Sequence, residues 1–390
     1  MSFSLFKSLP VQLILCLVGG LFLGEHLNND TINILYTISC LLKEILMFAL
    51  PVIIFSYLFA ALLAFEKQAP LLILTMLVLV TISNALTALA AYGAMAAAAP
   101  FLVGTAVQMM AAGPESIHSL FALNLPTMPP ENAMIGGLLM GLITNAFRGN
   151  QKSDCIKQMA FKLRDGSTFG LQKLFIPLLP LYVLGFVLKL DRDGSLGTLI
   201  QHFGRIFVVE CVVIVAYVVL MYAIAAKFNW SAFARYIKEM LPAGLTGFST
   251  MSSAATMPVT LAATEKNLND REYADFVIPT TVNIHLIGDG ISIAIIALAL
   301  LLLSGQGLPN FTTYLVFTVY YCLAKFSVAG VPGGGVFVAL PVILKYLELS
   351  PETATMLTTV YVLQDPIITA TNVMGNGAFA IITKRWLHSK

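Results

Sequence analysis

The sequence predicts an all-α polytopic membrane protein: eight transmembrane helices plus two re-entrant helical hairpins, arranged as inverted repeats. Three observations predict it. Charged residues make up only 11% of the 390-residue chain, 22 Lys+Arg and 20 Asp+Glu, against roughly 25% in a soluble globular domain. Hydrophobic residues make up 58%, and runs such as 71–102 and 206–226 exceed the ~18 residues that mark a bilayer-spanning helix. Two further apolar stretches are interrupted in their middles by small residues and proline.

The same composition excludes other classes. The net charge is +2 with scattered basic residues, so the contiguous basic face that nucleic acid requires is missing, and nucleic acid is not expected as a partner. The five cysteines, Cys16, Cys40, Cys155, Cys211 and Cys322, form no close pair, and four lie in apolar stretches where cysteine serves as a small packing residue. Neither a disulfide framework nor a metal site is expected.

Taken in order, the candidate spans fall at about 5–24, 32–65, 70–100, 131–147, 170–190, 203–227, 274–304 and 352–383. Lys7 ahead of an apolar run resembles a secretory leader, but no Ala-x-Ala-like site follows and another apolar segment comes directly after 25–30, so the run is taken as the first span. The broken stretches are 235–263, interrupted at Ser252-Ser253-Ala254-Ala255-Thr256-Met257-Pro258, and 311–346, interrupted at Gly330-Val331-Pro332-Gly333-Gly334-Gly335. At 1.5 Å per residue, neither half of either stretch comfortably crosses ~30 Å of hydrocarbon.

Orientation follows the basic loops. Arg148, Lys152, Lys157, Lys162 and Arg164 follow the fourth span, Lys227, Arg235 and Lys238 follow the sixth, and Lys384, Arg385 and Lys390 end the chain. All belong in the cytoplasm, which places both termini inside a multi-pass protein of the cell's inner (plasma) membrane. The first broken stretch then dips in from the cytoplasm and the second from outside.

Backbone that leaves a helix inside lipid costs several kcal/mol per unsatisfied group, so such breaks persist where protein or a water-filled cavity meets them. Each broken stretch precedes a span holding an intramembrane acid and Gly or Asn breaks: His285-Leu286-Ile287-Gly288-Asp289-Gly290 and Gln364-Asp365-Pro366 with Asn372-Val373-Met374-Gly375-Asn376. Hairpin plus span, twice and in opposite orientation, is the pattern that points to a midplane binding site.

At these residues the chain resembles the dicarboxylate/amino acid:cation symporters, the glutamate/aspartate transporter family. Ser252-Ser253 through Thr256-Met257-Pro258-Val259-Thr260 is similar to the family's serine-rich tip followed by Thr-Leu-Pro-Val-Thr. Ala329-Gly330-Val331-Pro332-Gly333-Gly334-Gly335 is similar to its second tip. Asp365, Thr369, Asn372, Val373 and Gly375 match its last span, and Leu46 to Pro51 with Phe55-Ser56 its second span. The resemblance implies a substrate site of Ser252, Ser253, Val331, Gly333, Asp365, Ile368, Thr369 and Asn372. Asp365 would hold a substrate ammonium, and Asn372 and the Ser252-Ser253 backbone an α-carboxylate. It also implies a homotrimer, a carrier rather than an enzyme, and no cofactor. Residues 231–390 would form the moving core and 1–230 mainly the scaffold, with the third span packing on the core.

The departures narrow the expectation. Where acidic-substrate members carry an arginine fork for a side-chain carboxylate, this chain has Ile368, which points to a small neutral amino acid. The family's Asn-Met-Asp-Gly-Thr becomes, without gaps, His285 to Asp289, and its later aspartate becomes Asn376. A two-residue insertion instead aligns Asp289-Gly290 with the family's Asp-Gly. Sodium ligation is weakened in either register, and the coupling candidates are His285, Asp289, Lys325, Asn376, Ser83 and Asn84, with a proton as coupling ion and sodium as the alternative. Thr81, Ser83 and Asn84 either add hydroxyl or amide ligands or simply back-bond and pack. Lys325 sits in the apolar run 314–329, where a lysine costs ~2.5–3.5 kcal/mol on insertion scales; it either stands in for a cation, carries the proton, or snorkels to an interface. His285 changes charge near neutrality when unperturbed, and is either a proton carrier or a satisfied packing residue.

Rival functions fit the residues less well, and a passive channel would want rings of repeated charge or carbonyl filters that the sequence does not show. A sodium- or proton-coupled dicarboxylate or acidic amino acid symporter fits the family at large but not Ile368. An intramembrane aspartyl protease built on Asp289 and Asp365 lacks the first glycine of Gly-x-Gly-Asp and leaves both glycine-rich tips unexplained. No His-Glu-x-x-His or Gly-x-Ser-x-Gly occurs.

Overall fold

The computed structural model describes residues 9–64, 70–103, 117–126, 128–146, 151–328, 330 and 332–387. Its helices are α1 (Leu9–His26), α2 (Asn29–Ala64), α3 (Pro70–Val103), α4 (Pro130–Ala146), α5 (Gln151–Phe169), α6 (Leu179–Arg192), α7 (Ser195–Ala225), α8 (Trp230–Thr250), α9 (Ser253–Leu268), α10 (Arg271–Thr281), α11 (Ile287–Leu303), α12 (Phe311–Lys325), α13 (Gly334–Tyr346) and α14 (Pro351–Leu387). No strand occurs among the described residues.

The axis of the molecule is α11. After its first turn it is apolar on almost every face, and all of Ile287–Leu303 is buried, as a helix without a polar side must be. α3, α7, α13 and α14 pack around it. A second group, α1, α2, α4, α5 and α6, gathers mainly on α2 and α6. There α2 and α6 approach closely: Ser39 Oγ donates to Leu181 O at 3.2 Å, and a side chain on Gly185 would strike Leu35 and Ser39. Small residues at a helix crossing are what packing in lipid selects.

The outward faces are apolar, with Phe22, Phe48, Val52, Val212 and Leu245 exposed. Among the described residues four helices, Asn29–Leu63, Leu74–Leu102, Cys155–Arg192 and Phe203–Ala225, are long and apolar enough to cross a membrane. The chain is a helical membrane protein.

The structure differs from the sequence reading at three places. The segment expected as a basic loop is helix: α5 runs through a π turn (Gly170–Phe175) and a 3-10 turn (Ile176–Leu178) into α6, and Lys157, Lys162 and Arg164 ride on it. Its Lys, Gln, Met, Ala and Leu residues favour helix, and the irregular turns fall where Pro177 and Pro180 remove donors. The expected single span at 274–304 is two helices, α10 and α11, separated at 282–286. The last span, by contrast, is unbroken over 37 residues with Pro366 inside it. Its glycines are contact points rather than breaks: a Cβ on Gly375 would strike Ile287, and one on Gly377 would lie 2.5 Å from Met240.

Both interrupted stretches fold as helix pairs, α8 against α9 and α12 against α13. Their turns sit against α14 and the 282–286 break, so the site is assembled where three breaks in helical backbone meet α14.

Candidate functional site

The first tip is set by local chemistry. α8 ends at Thr250, Met251 takes the left-handed conformation at φ 51°, and Ser252 caps α9 by accepting from Ala255 N–H at 3.2 Å. Its hydroxyl also donates to Gly330 O at 2.5 Å, joining the first tip to the second. Ser253 is buried at the start of α9. The second tip turns through Gly333 at φ 75°, a conformation open to glycine without strain. Gly333 N–H donates to Asp365 Oδ2 at 2.8 Å. Val331, an expected substrate contact, and Ala329 lie outside the described residues.

Asp365 is buried, and its other oxygen accepts from Thr369 Oγ1 at 3.0 Å. It stands in mid-helix, so it caps nothing at its own helix end. Ile368 is fully buried in the apolar core.

Asn372 turns its amide toward α11. Its Oδ1 accepts from Gly288 N–H at 2.8 Å, and its Nδ2 donates to Asp289 Oδ2 at 2.5 Å. Asp289 Oδ1 accepts from Tyr361 OH at 2.5 Å, and Tyr321 OH donates to Asp289 O at 2.6 Å. Gly335 makes room for this: a Cβ there would strike Asp289 Oδ1 and lie 2.6 Å from Tyr361 OH. Asp289 also sits in the first turn of α11, where the helix dipole favours a negative charge.

The 282–286 break is clamped by the third expected span. Asn84 Nδ2 donates to Ile284 O at 2.7 Å, and Asn84 Oδ1 accepts from Leu286 N–H at 3.1 Å. These bonds satisfy backbone that no helix serves. Thr81 only bonds back to Leu77 O at 2.8 Å. His285 is fully buried, with Nε2 2.8 Å from Ser83 Oγ, Nδ1 3.2 Å from Asn376 Oδ1, and its ring stacked on Phe379 at 4.2 Å. With the Asn376 amide so oriented, Nδ1–H donates and Nε2 accepts, which suits a neutral ring.

Lys325 does not snorkel. It is buried, its Nζ donates to Leu286 O at 3.1 Å, and the ammonium lies 4.7 Å from the Tyr321 ring centroid. Gly290 opens the space: a Cβ there would come 2.5 Å from Lys325 Nζ and strike Thr87 Oγ1. A cation of the protein itself therefore occupies the carbonyl at the helix break.

A cavity of about 610 Å³ lies at the first tip, lined by Ser252, Asn283 and Gly330 together with Tyr57, Arg164 and Asp165. Arg164 is the guanidinium in its wall, and it is paired with Asp165 at 2.7 Å. Sequence reasoning missed Tyr321, Tyr361, Thr87, Asn283, Glu210 and Gln364. Only Glu210, the one acid in the apolar run 206–226, carried a signal that a composition scan finds.

A helical membrane protein whose buried acids, lysine and histidine gather at helix breaks, with a cavity at the tip of an interrupted helix pair, has the construction of a secondary active transporter. The family model described as "Sodium:dicarboxylate symporter family" matches residues 9–386, and the chain belongs to that family. It is a transporter of the cation-coupled dicarboxylate and amino acid symporter class.

Proposed function

We propose that this chain imports a small neutral amino acid together with a proton by alternating access. One observation carries the reading: Lys325 Nζ rests on Leu286 O inside the membrane core. A resident ammonium satisfies and repels at the position where a coupled metal cation would have to sit, which leaves the proton as the ion that the centre can exchange. Ile368 supports the neutral side chain, because an apolar residue buried in the core stands where a carboxylate would need a fork. His285, Asp289 and Asn376 complete the coupling centre beside Lys325, with Ser83 on the His285 ring and Asn84 holding the backbone. Ser252, Ser253, Val331, Gly333, Asp365, Thr369 and Asn372 form the substrate site, the ammonium going to Asp365.

The architecture we propose has eight spans and two re-entrant hairpins, α8–α9 and α12–α13, as inverted repeats. Residues 231–390 shift against a scaffold drawn mainly from 1–230, in a homotrimer of the inner (plasma) membrane with cytoplasmic termini. The packing of α3 and α7 against α11 supports their travelling with, or bearing on, the moving part. The protein acts without a cofactor and without catalysis.

A second reading, a sodium- or proton-coupled dicarboxylate or acidic amino acid symporter, is favoured by Arg164 in the wall of the cavity at the first tip. The experiment that separates them is uptake of labelled alanine, serine and aspartate into proteoliposomes under a proton gradient alone or a sodium gradient alone. Alanine or serine uptake on protons alone is expected; aspartate uptake that requires sodium overturns the proposal.

A further inference from the structure

Glu210 lies midway along α7 in an otherwise apolar run, and nothing in the reading above uses it. It is 1% exposed, and its Oε2 has no hydrogen-bond partner. Ser292 of α11 and Gln364 of α14 are the polar side chains that face its carboxyl. Both are buried as well, and Ser292 Oγ and both amide atoms of Gln364 close no hydrogen bond. Three helices thus bring three buried polar side chains together in an apolar interior, where Glu210 Oε2, Ser292 Oγ and both Gln364 amide atoms close no hydrogen bond.

A structural trio would be expected to close its bonds, since an orphaned buried polar group costs ~1–3 kcal/mol. A trio that must serve two protonation states cannot close permanently in either. When protonated, Glu210 donates to Gln364 Oε1 and its carbonyl oxygen accepts from Ser292. When ionised, it accepts from Ser292 and from Gln364 Nε2 after the amide rotates. No counter-charge fixes one state: among the described residues no cation pairs with Glu210. The ionisable groups nearest along the chain are Cys211 on α7, Asp289 one turn before Ser292 on α11, and Asp365 beside Gln364 on α14; α3 has no charged residue, and the charges of the other two helices packed on α7 are Lys189, Asp191 and Arg192 on α6 and Arg235, Lys238 and Glu239 on α8. An intramembrane carboxyl so placed is a functional group by default.

We propose that Glu210, Ser292 and Gln364 form a second proton-binding site, on the route of the coupled proton and additional to the centre beside Lys325, an inference whose transport half rests on the proton-coupled reading. H⁺ from the entry side adds to the Glu210 carboxylate, and the same O–H bond breaks to return H⁺ on the other side; no electrons move. The link to substrate is short. Gln364 adjoins Asp365, and Ser292 stands three residues from Asp289 on the same face of α11.

The test is infrared spectroscopy of the purified protein in liposomes, titrated with pH, combined with proton-gradient-driven alanine uptake. The wild type is expected to show a carboxylic acid C=O band that persists where exposed carboxyls are ionised. Glu210→Gln should lose that band and lose gradient-driven uptake. Ser292→Ala, which keeps the acid, should shift the band because the carbonyl oxygen loses its donor, and this readout stands if Glu210→Gln fails to fold. An unchanged band in Glu210→Gln or in Ser292→Ala overturns the site. Wild-type uptake that ignores the proton gradient, with the band still lost in Glu210→Gln, overturns the transport half and the proton-coupled reading while Glu210 stays a proton-binding group.

Discussion

Asn372 Nδ2 donates to Asp289 Oδ2 at 2.5 Å while the same amide's Oδ1 receives Gly288 N–H at 2.8 Å. One side chain of α14 thus both anchors the start of α11 and binds the acid in its first turn. An amide at this position is expected, from family resemblance, to hold the substrate's carboxylate. Here a carboxylate of the protein already lies on it. In the substrate site proposed above, substrate carboxylate and Asp289 would compete for, or share, one amide group, and the substrate's arrival would change what Asp289 is bonded to.

Replacing Asn372 by Ala should cost about 2 kcal/mol, since it strips a charge-bearing buried acceptor of one donor. Asn372→Asp should cost more, because it sets a second carboxylate against Asp289 and offers no N–H. Thermal unfolding in detergent reads both, and equal losses for the two variants would refute the Asn372–Asp289 bond.

Gly335 and Gly93 give a matched pair of alanine substitutions. At Gly335 the added methyl would strike Asp289 Oδ1, so Gly335→Ala should destabilise by ~1–3 kcal/mol, the usual range for overpacking, and should abolish uptake. Gly93 sits in α3 with nothing within 4 Å of a Cβ. Gly93→Ala should stabilise by ~0.5–1 kcal/mol through backbone entropy. Melting temperatures that move in the same direction would show that the space around Asp289 is looser than described.

The contrast between those glycines also marks what the sequence made legible. Membrane class and the chain break at Ser252 were readable, and Asp365, Asn372 and Lys325, all buried in the structure, stood out in the sequence, because charge in an apolar run and small residues in a span are rare and costly. Which glycines break a helix was not readable. Gly333 turns the chain at positive φ, whereas Gly375 and Gly377 lie inside the continuous α14 and admit Ile287 and Met240; the residue type is the same and only the neighbour differs. Asn84 was expected as a coupling candidate and bonds both sides of the 282–286 break, a partner 200 residues away. The tyrosines on Asp289, Tyr321 and Tyr361, were invisible for the same reason: nothing in one sequence says where their hydroxyls end.

Ser252→Ala removes a helix cap and the bond between tips at once. The cap is worth ~1 kcal/mol, and the hydroxyl bond to Gly330 O adds about as much. Hydrogen exchange over 250–256 should therefore quicken in Ser252→Ala, with Ala255 N–H the most affected, and Ser252→Thr should restore much of the protection. Unchanged exchange at both tips would mean that other contacts hold them together.

Lys325→Ser should convert the centre from one that excludes metal cations to one that admits them. The variant frees Leu286 O, leaves Asp289 without a nearby ammonium, and opens the volume beside Gly290 and Thr87. Lys325→Met is the control, since its unbranched apolar chain fills the same space, and exchanging a buried ion for well-packed apolar atoms is often neutral for stability. Thermal unfolding against sodium concentration separates the cases. Wild type and Lys325→Met should be indifferent to sodium, and Lys325→Ser should gain stability as sodium rises, by ~2.7 kcal/mol at a hundredfold excess over its dissociation constant. Proton-driven uptake should be lost in both variants. A wild type that sodium stabilises as strongly as it does Lys325→Ser would show that the ammonium does not occupy the cation's place, and the coupling ion would then have to be sought among sodium ligands elsewhere in the core.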